Sequence, residues 1–213
     1  ATTYIPDMGE HGMLVVTLDD ITAFRKAEQA LAHRASHDPL TGLPNRAVLM
    51  SHLARVVARL GRQPGTVAVM FVDLDGFKNI NDTYGHRVGD SVLKEVARRI
   101  SLAVRRDDVV TRMGGDEFVV VCDALESSSE SAMVAERVRA ALDEPFDSHG
   151  RLHQLSASVG VAQTSDPATS GEDLLRRSDL AMYLAKERGR NRVDFFAANL
   201  EDRARDRVRM VDL

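Results

Sequence analysis

The run from Thr66 to Phe77, TVAVMFVDLDGF, is apolar at nearly every position as far as Val72, where a strand with one wet face would alternate. It predicts a central strand covered on both sides. Ahead of it, Val48, Leu49, Leu53, Val56, Val57 and Leu60 recur at helical spacing behind Pro44, a residue suited to a first helical turn, and Gln63-Pro64-Gly65 stops the pattern. Behind it, Val88, Val92, Val96, Ile100 and Val104 fall on one face of a second helix. The stretch VVTRMGGDEFVVV, Val109 to Val121, sets two β-branched runs either side of Gly114 and Gly115, which supply the positive φ of a tight reversal. It predicts a hairpin. A helix over SAMVAERVRAALDEPF, a strand over LHQLSASVGVAQT, a helix over GEDLLRRSDLAMYLAKERG ended by Gly189, and a last strand over RVDFF complete the series. The short ESSSES tract reads as a loop or a helix start.

The core order is therefore βαββαβ with additions. That order suggests an α/β (α+β) sandwich, a ferredoxin-like palm with an antiparallel sheet and helices largely on one face. The N-terminal stretch stands apart. A strand from Met13 to Leu18 finds no partner in the sequence, and one strand cannot bury its own face, so residues 1–20 read as the end of an upstream domain. Residues 21–37 read as a connecting helix, with Ile21, Phe24, Leu31 and Ala35 on a heptad seam that Glu28 interrupts; an amphipathic helix packed on its own domain is the other reading of the same pattern. The main domain then spans 38–196, and 197–213 follow as a C-terminal linker helix.

Composition changes this picture little. The 213 residues suffice for one substantial core with extra elements at its ends. A hydrophobic share of 44%, a charged share of 28% and a net charge of -4 are ordinary for a globular domain, and give no reason to expect nucleic acid or an acidic membrane surface as partner. One cysteine, Cys122, cannot build a disulfide framework or a thiolate zinc site; it fits a strand residue in a reducing cytosol, and a cytoplasmic location is expected. AVMFV is among the longest apolar stretches, far short of a membrane span, so no membrane contact is expected within the chain. The chain begins at Ala1 and reads as a piece of something larger, which leaves an anchor elsewhere open.

Two acidic clusters carry the candidate chemistry. Asp73 and Asp75 stand at the exit of the central strand, where Gly76 lets the backbone come close to a ligand. Asp116 and Glu117 stand at the hairpin tip. If the two strands are neighbours, as the element order allows, Asp73 faces Asp116 and Glu117 across the sheet. Carboxylates that converge repel one another unless a hard cation neutralises them, and Mg²⁺ is the natural candidate because it takes oxygen ligands and brings substrate phosphates with it. Lys78 follows within reach of such phosphates, and the basic AKERGRNR segment supplies further cations. Each feature alone has an ordinary reading: solvated strand-end carboxylates, a surface Lys78, a turn or cap His86 in YGHRVGD. Their joint occurrence points to a site.

In these segments the chain resembles the GGDEF domain of diguanylate cyclases: DPLTGLPNR, FVDLDGFKNINDTYGHRVGD, TRMGGDEF, SASVGVA and AMYLAKERGRNRV follow in order and at the family's spacing, from Asp38 to Phe196. Asp116 fills a motif position where many relatives carry Glu. The resemblance implies a palm related to class III nucleotide cyclases that condenses two GTP into cyclic di-GMP and pyrophosphate. It implies a homodimer, since each domain binds one GTP. It implies further that Asp73, the Leu74 carbonyl and Asp116 hold Mg²⁺, with Glu117 supporting a second ion and Mn²⁺ as an alternative metal. Two ions would activate the 3′-hydroxyl and stabilise the leaving pyrophosphate, and the proton acceptor stays open. By the same resemblance Lys78, the amides of Gly76 and Phe77, Lys186 and Arg190 contact phosphates. Asn81 and Asp90 read the guanine edge with His86 nearby, and Gly114 and Gly115 keep the nucleotide's approach clear.

Arg105 and Asp108 form an R-x-x-D shortly before Gly114, matching the family's product-inhibition site for cyclic di-GMP, with Arg112 as a further member. LVVTLDDITAFRKAEQAL resembles the last strand of a PAS sensor and its signalling helix, and NLEDRARDRVRMVDL loosely resembles the helix that leads into an EAL phosphodiesterase. Two functions compete on this evidence. One is an active cyclase; the other is a module that binds GTP or cyclic di-GMP and tunes an attached phosphodiesterase without making product.

Overall fold

The computed structural model describes residues 2–3, 15–16, 21–25, 35–148 and 151–197. They divide into two compact units, Ala1–Ala35 and Ser36–Leu213. In the first, β1 (Thr2–Thr3) pairs antiparallel with β2 (Val15–Val16). The strand expected at Met13–Leu18 thus has a partner, which the sequence reading denied it, because a strand as short as β1 carries too little pattern to be seen. Residues 22–25 are helical, with Ile21 and Phe24 exposed. Glu28 and Leu31 of the expected seam lie outside the described residues, as does nearly all of the linker helix expected at 197–213.

The second unit opens with α1 (Arg46–Leu60), whose Asn45 side chain accepts from the N–H groups of Ala47 and Val48 at 3.0 and 3.3 Å. Then come β3 (Thr66–Asp75), α2 (Phe77–Tyr84), α3 (His86–Ala103), β4 (Val109–Gly114), β5 (Glu117–Leu125) and α4 (Ser128–Asp143). The unit closes with β6 (Phe146–Ser148), β7 (Arg151–His153), β8 (Ser156–Thr164), α5 (Gly171–Glu187) and β9 (Val193–Phe195). Five strands form one sheet in the order β4-β5-β3-β8-β9, and β3 runs antiparallel to both its neighbours.

β3 is the central strand the sequence predicts, and its two sets of alternate residues enter two different cores. Ala68, Met70, Val72 and Leu74 pack with Val92, Val96 and Ile100 of α3 and Val134 and Val138 of α4. Val67, Val69 and Phe71 pack with Leu49, Leu53 and Val56 of α1 and Leu174 and Met182 of α5. Each such side chain contributes roughly 1.5–3 kcal/mol on leaving water, which explains why no polar residue interrupts the strand before its end. Cys122 of β5 is buried in the first core, where loss of water pushes its thiol far above the usual range and leaves it unreactive.

Several expectations are corrected. Helices cover both faces of the sheet, because the βαββαβ core accounts only for α3 and α4 while α1 and α5 need a face of their own. The sheet is mixed, since β9 lies parallel to β8. LHQLSASVGVAQT is two strands, with β7 folding back on β6. The helical segment after β3 is two helices broken at Gly85, whose φ of 82° no continuing helix tolerates, and Val104 lies outside the second of them with extended backbone.

Gly160 of β8 fixes how closely α5 can lie on the sheet. A Cβ there would stand 2.0 Å from the Met182 nitrogen and 2.1 Å from the Ser178 carbonyl oxygen. Only a glycine lets the helix backbone settle onto the strand, one turn before Lys186 passes over the end of β3.

Candidate active site

The antiparallel register places Asp73 of β3 directly opposite Glu117 of β5 and opposite Ser158 of β8. Residues paired this way share a face, here the face that carries α5. From the last turn of α5, Lys186 reaches down to Asp73, Nζ to Oδ2 at 2.7 Å. Burial pushes the Asp73 carboxyl above the usual aspartate range; Lys186 opposes this, and repulsion from Asp116 and Asp75 adds to it. Glu117 is likewise pushed up by burial, then by Asp73, Asp179 and Asp116, with Lys186 as the opposing charge. The end of β3 is thus a concentration of negative charge held under one ammonium.

The hairpin predicted around Gly114 and Gly115 is present, and Gly114 pairs with Glu117 across a turn made of Gly115 and Asp116. Gly115 has a φ of 53° and Gly114 one of 146°, values that side chains resist, and a Cβ at either position would meet nothing within 4 Å. The backbone conformation requires the glycines, and the space beside them is open. The turn is tied to β3 by the Leu74 N–H, which donates to the Asp116 carbonyl at 3.4 Å.

On the other side of the strand end, Gly76 takes a left-handed φ of 77° and starts α2, so that Gly76 and Phe77 bring helix N-terminal backbone beside the carboxylates and Lys78 stands exposed. Arg190, in the turn after α5, is 63% exposed. Asn81 on α2 packs against α3 at Gly89, where an added Cβ would lie 2.0 Å from its Oδ1. Asp90, the next residue, is exposed beside it, and His86 is exposed at the start of α3. Gly89 is a position whose role its place in the sequence hides: without a side chain it lets the Asn81 side chain of α2 lie against α3, one residue before Asp90.

The donors gathered at the end of β3 are carboxylates and a backbone carbonyl, all hard oxygens, a set that fits Mg²⁺. Among the described residues no three His, Cys, Asp or Glu side chains form a ready coordination cage; Asp73 and Glu117 pair across the strands, with Asp116 on the adjoining turn.

The description "Diguanylate cyclase, GGDEF domain" matches residues 35–192. The chain belongs to the GGDEF diguanylate cyclase family. It is 37% identical over 190 residues to MucR, a bifunctional diguanylate cyclase/cyclic di-GMP phosphodiesterase of Pseudomonas aeruginosa, covering 89% of this chain and 28% of MucR. It is 38% identical over 178 residues to the diguanylate cyclase TpbB of the same organism, covering 81% of this chain and 41% of TpbB. The solved GGDEF domain of TpbB superposes with a TM-score of 0.74 at 36% identity, covering 79% of this chain and 99% of that one. The coiled coil and GGDEF domain of DgcB from Caulobacter crescentus, solved with c-di-GMP, gives a TM-score of 0.74 at 29% identity, covering 83% of this chain and 93% of that one. The chain spans well under half the length of the two curated relatives. Among the described residues no helix is long and apolar enough to cross a membrane.

In this GGDEF domain the R-x-x-D pair is engaged locally. Asp108 accepts from the Arg105 backbone N–H at 2.7 Å, while the exposed Arg105 guanidinium pairs with Glu130 on α4. Arg112, the further member expected of that site, makes bonds of its own. Its guanidinium donates to both oxygens of Asp38 at 3.0 and 3.1 Å and to the Gly115 carbonyl at 3.1 and 2.7 Å, which straps the GGDEF turn to the DPLTGLPNR loop. Burial raises the Asp38 carboxyl, but the Thr41 and Arg112 hydrogen bonds outweigh it and hold the group below the usual range.

Two site residues escaped the sequence reading. Asp179 precedes Lys186 by two helical turns on α5, and its field reaches Glu117. Its own carboxyl is pushed up by the protein around it and pulled back by Lys186, although the residue keeps an exposed surface. An acidic residue on a helix reads as a solvated face, and only that spacing from Lys186 could have singled it out. Asp38 was quoted within a loop motif but given no role; its partner lies far along the chain.

Proposed function

We propose that this domain joins two GTP molecules into cyclic di-GMP, with a second copy of the domain presenting the second nucleotide. The 3′-oxygen of each GTP attacks the α-phosphorus of the other; two 3′-oxygen to phosphorus bonds form and close the ring, two α–β phosphoanhydride bonds break to release two pyrophosphates, and each hydroxyl proton leaves to a base. The observation that carries this reading is the pairing of Asp73 with Glu117 under Lys186, at the strand end from which the Gly76 helix start leads to Asn81, packed on α3 at Gly89.

In this reading Lys78, Lys186, Arg190 and the amides of Gly76 and Phe77 bind the triphosphate and neutralise the charge that builds on pyrophosphate. Asp90 accepts from the guanine ring N–H and amino group, and Asn81 bonds in either direction, with His86 beside them. Gly114 and Gly115 keep the approach to the turn free of side chains. Asp73, the Leu74 carbonyl, Asp116 and Glu117 would hold Mg²⁺, or Mn²⁺ in its place, and two such ions would polarise the attacking and leaving oxygens of an in-line displacement. Lys186 bears on this directly, since it neutralises Asp73 and stands within reach of phosphates.

Arg105 and Asp108 form the inhibitory product site in the same proposal, the arginine fork binding phosphate or guanine of cyclic di-GMP. Arg112, here bound to Asp38 and the Gly115 carbonyl, is a further member of that site in the same proposal. The second reading, a silent module tuning an EAL domain, draws on one observation: NbdA of Pseudomonas aeruginosa, 38% identical to this chain over 184 residues, bears the name of a cyclic di-GMP phosphodiesterase alone.

Asp116→Ala decides between them. Loss of product from GTP and Mg²⁺ with an unchanged far-UV spectrum is expected of a cyclase, and wild-type rates would overturn the assignment. Arg105→Ala is expected to relieve inhibition by added cyclic di-GMP; an unchanged inhibition curve would count against the product site.

A further inference from the structure

Asp75 is the carboxylate at the exit of β3 that the site above does not use. Its side chain is only 6% exposed, and three donors take up its oxygens. Oδ2 accepts from the Ser156 hydroxyl at 2.8 Å and from the Asn191 backbone N–H at 3.1 Å, and Oδ1 accepts from the Ser158 hydroxyl at 2.8 Å. A charged acceptor with this many donors is held firmly in place. Ser156 and Ser158 belong to the neighbouring strand β8, so the carboxylate is fixed to the sheet on one side and grips a turn on the other.

That turn is conformationally costly. Gly189, Arg190 and Asn191 have φ values of 115°, 61° and 45° in succession. The two that carry side chains each cost on the order of 1 kcal/mol in this region, and such residues persist only where the surroundings over-determine them. Arg190 donates its N–H to the Ala185 carbonyl at 3.0 Å, and the Asn191 side chain accepts from Arg139 at 2.6 Å, but the anionic anchor of the turn is Asp75. The Arg190 guanidinium itself comes only to 4.0 Å of Asp75 and stays 63% exposed. The carboxylate grips the backbone and leaves the cation available to an anion.

We propose that Asp75 is a positioning residue for the nucleotide phosphates: it locks the turn from Gly189 to Asn191 in its left-handed conformation and so aims Arg190 at the triphosphate. The proposal rests on the reading of Arg190 as a phosphate contact. It explains why a second carboxylate is kept beside Asp73 despite their repulsion, held by two hydroxyls and a backbone amide.

The test is a double-mutant cycle read by binding of 3′-deoxy GTP, which lacks the attacking hydroxyl and cannot be cyclised, with Mg²⁺ present. Asp75→Asn keeps the shape and removes the charge. It is expected to weaken binding about tenfold to a hundredfold, as Arg190→Ala does, the magnitude of one charge-assisted contact. The double variant is expected to bind no worse than Arg190→Ala alone, because Asp75 acts through Arg190. Losses that multiply in the double variant would show that Asp75 acts on the fold by another route, and would overturn the proposal. Unchanged binding in Asp75→Asn with weakened binding in Arg190→Ala would overturn it while sparing the role of Arg190. Unchanged binding in Arg190→Ala would sink that role and the proposal together. Should Asp75→Asn fold poorly, Ser156→Ala removes a donor from the oxygen that holds Asn191, and the same cycle applies with an expected loss of about twofold to threefold.

Discussion

Lys186 Nζ lies 2.7 Å from Asp73 Oδ2, so the last turn of α5 neutralises a carboxylate at the end of the central strand. Asp73 is buried and Lys186 is not, which makes the ion pair asymmetric: the lysine can turn to solvent or phosphate, while the aspartate has nowhere to go. Lys186→Met is therefore expected to destabilise the fold by about 1–3 kcal/mol by leaving a buried acceptor unpaired. Adding Asp73→Asn to it should restore stability without restoring product formation. Denaturant melts of the two variants test this, and a single variant as stable as wild type would show that the pair contributes nothing.

Glu117→Gln is expected to stabilise the fold and abolish turnover together. The charge of Glu117 is resisted by burial and by Asp73, Asp179 and Asp116, so its carboxyl holds its proton more tightly folded than unfolded. Wild-type stability then falls as pH rises from the ordinary glutamate value of 4.5 through the raised folded value. The variant's gain is absent below that window and full above it. Thermal midpoints of the two proteins across pH give the comparison; a gain that grows toward acid pH would contradict the account.

Gly89→Ala is expected to raise KM for GTP about tenfold while changing kcat little, the loss of one base contact. The new methyl would stand 2.0 Å from Asn81 Oδ1 and 3.2 Å from Phe77 Cζ, so the Asn81 side chain must swing away. Alanine's better helix propensity, worth up to ~1 kcal/mol, offsets the strain, and the melting temperature should move little. Steady-state kinetics check it, and an unchanged KM would remove Asn81 from the guanine contact.

What the sequence makes legible follows from what pattern encodes. The unbroken apolar run of β3 requires cover on two sides, and the hairpin with its glycines announces itself by residue type. Which helices cover which face is not a local property, so α1 and α5 could not be assigned from periodicity. β6, β7 and the break at Gly85 fall below the length at which period is visible. Among site residues, Asp73 and Glu117 are where strand neighbours put them. Residue type places Asp75 in an acidic cluster and the family resemblance places Arg112 in the product site, while only the hydrogen bonds to Asn191 and Asp38 show the one gripping a turn and the other a loop. Partners so far apart in the chain leave no trace in spacing.

The central claim is tested most directly by chromatography of the nucleotides after the purified chain is incubated with GTP and Mg²⁺ over a range of protein concentrations. Cyclic di-GMP rising more steeply than linearly with protein is the result expected of a cyclase whose two half-sites meet. GTP bound but returned unchanged at every concentration would contradict it, and would assign this GGDEF domain to regulation.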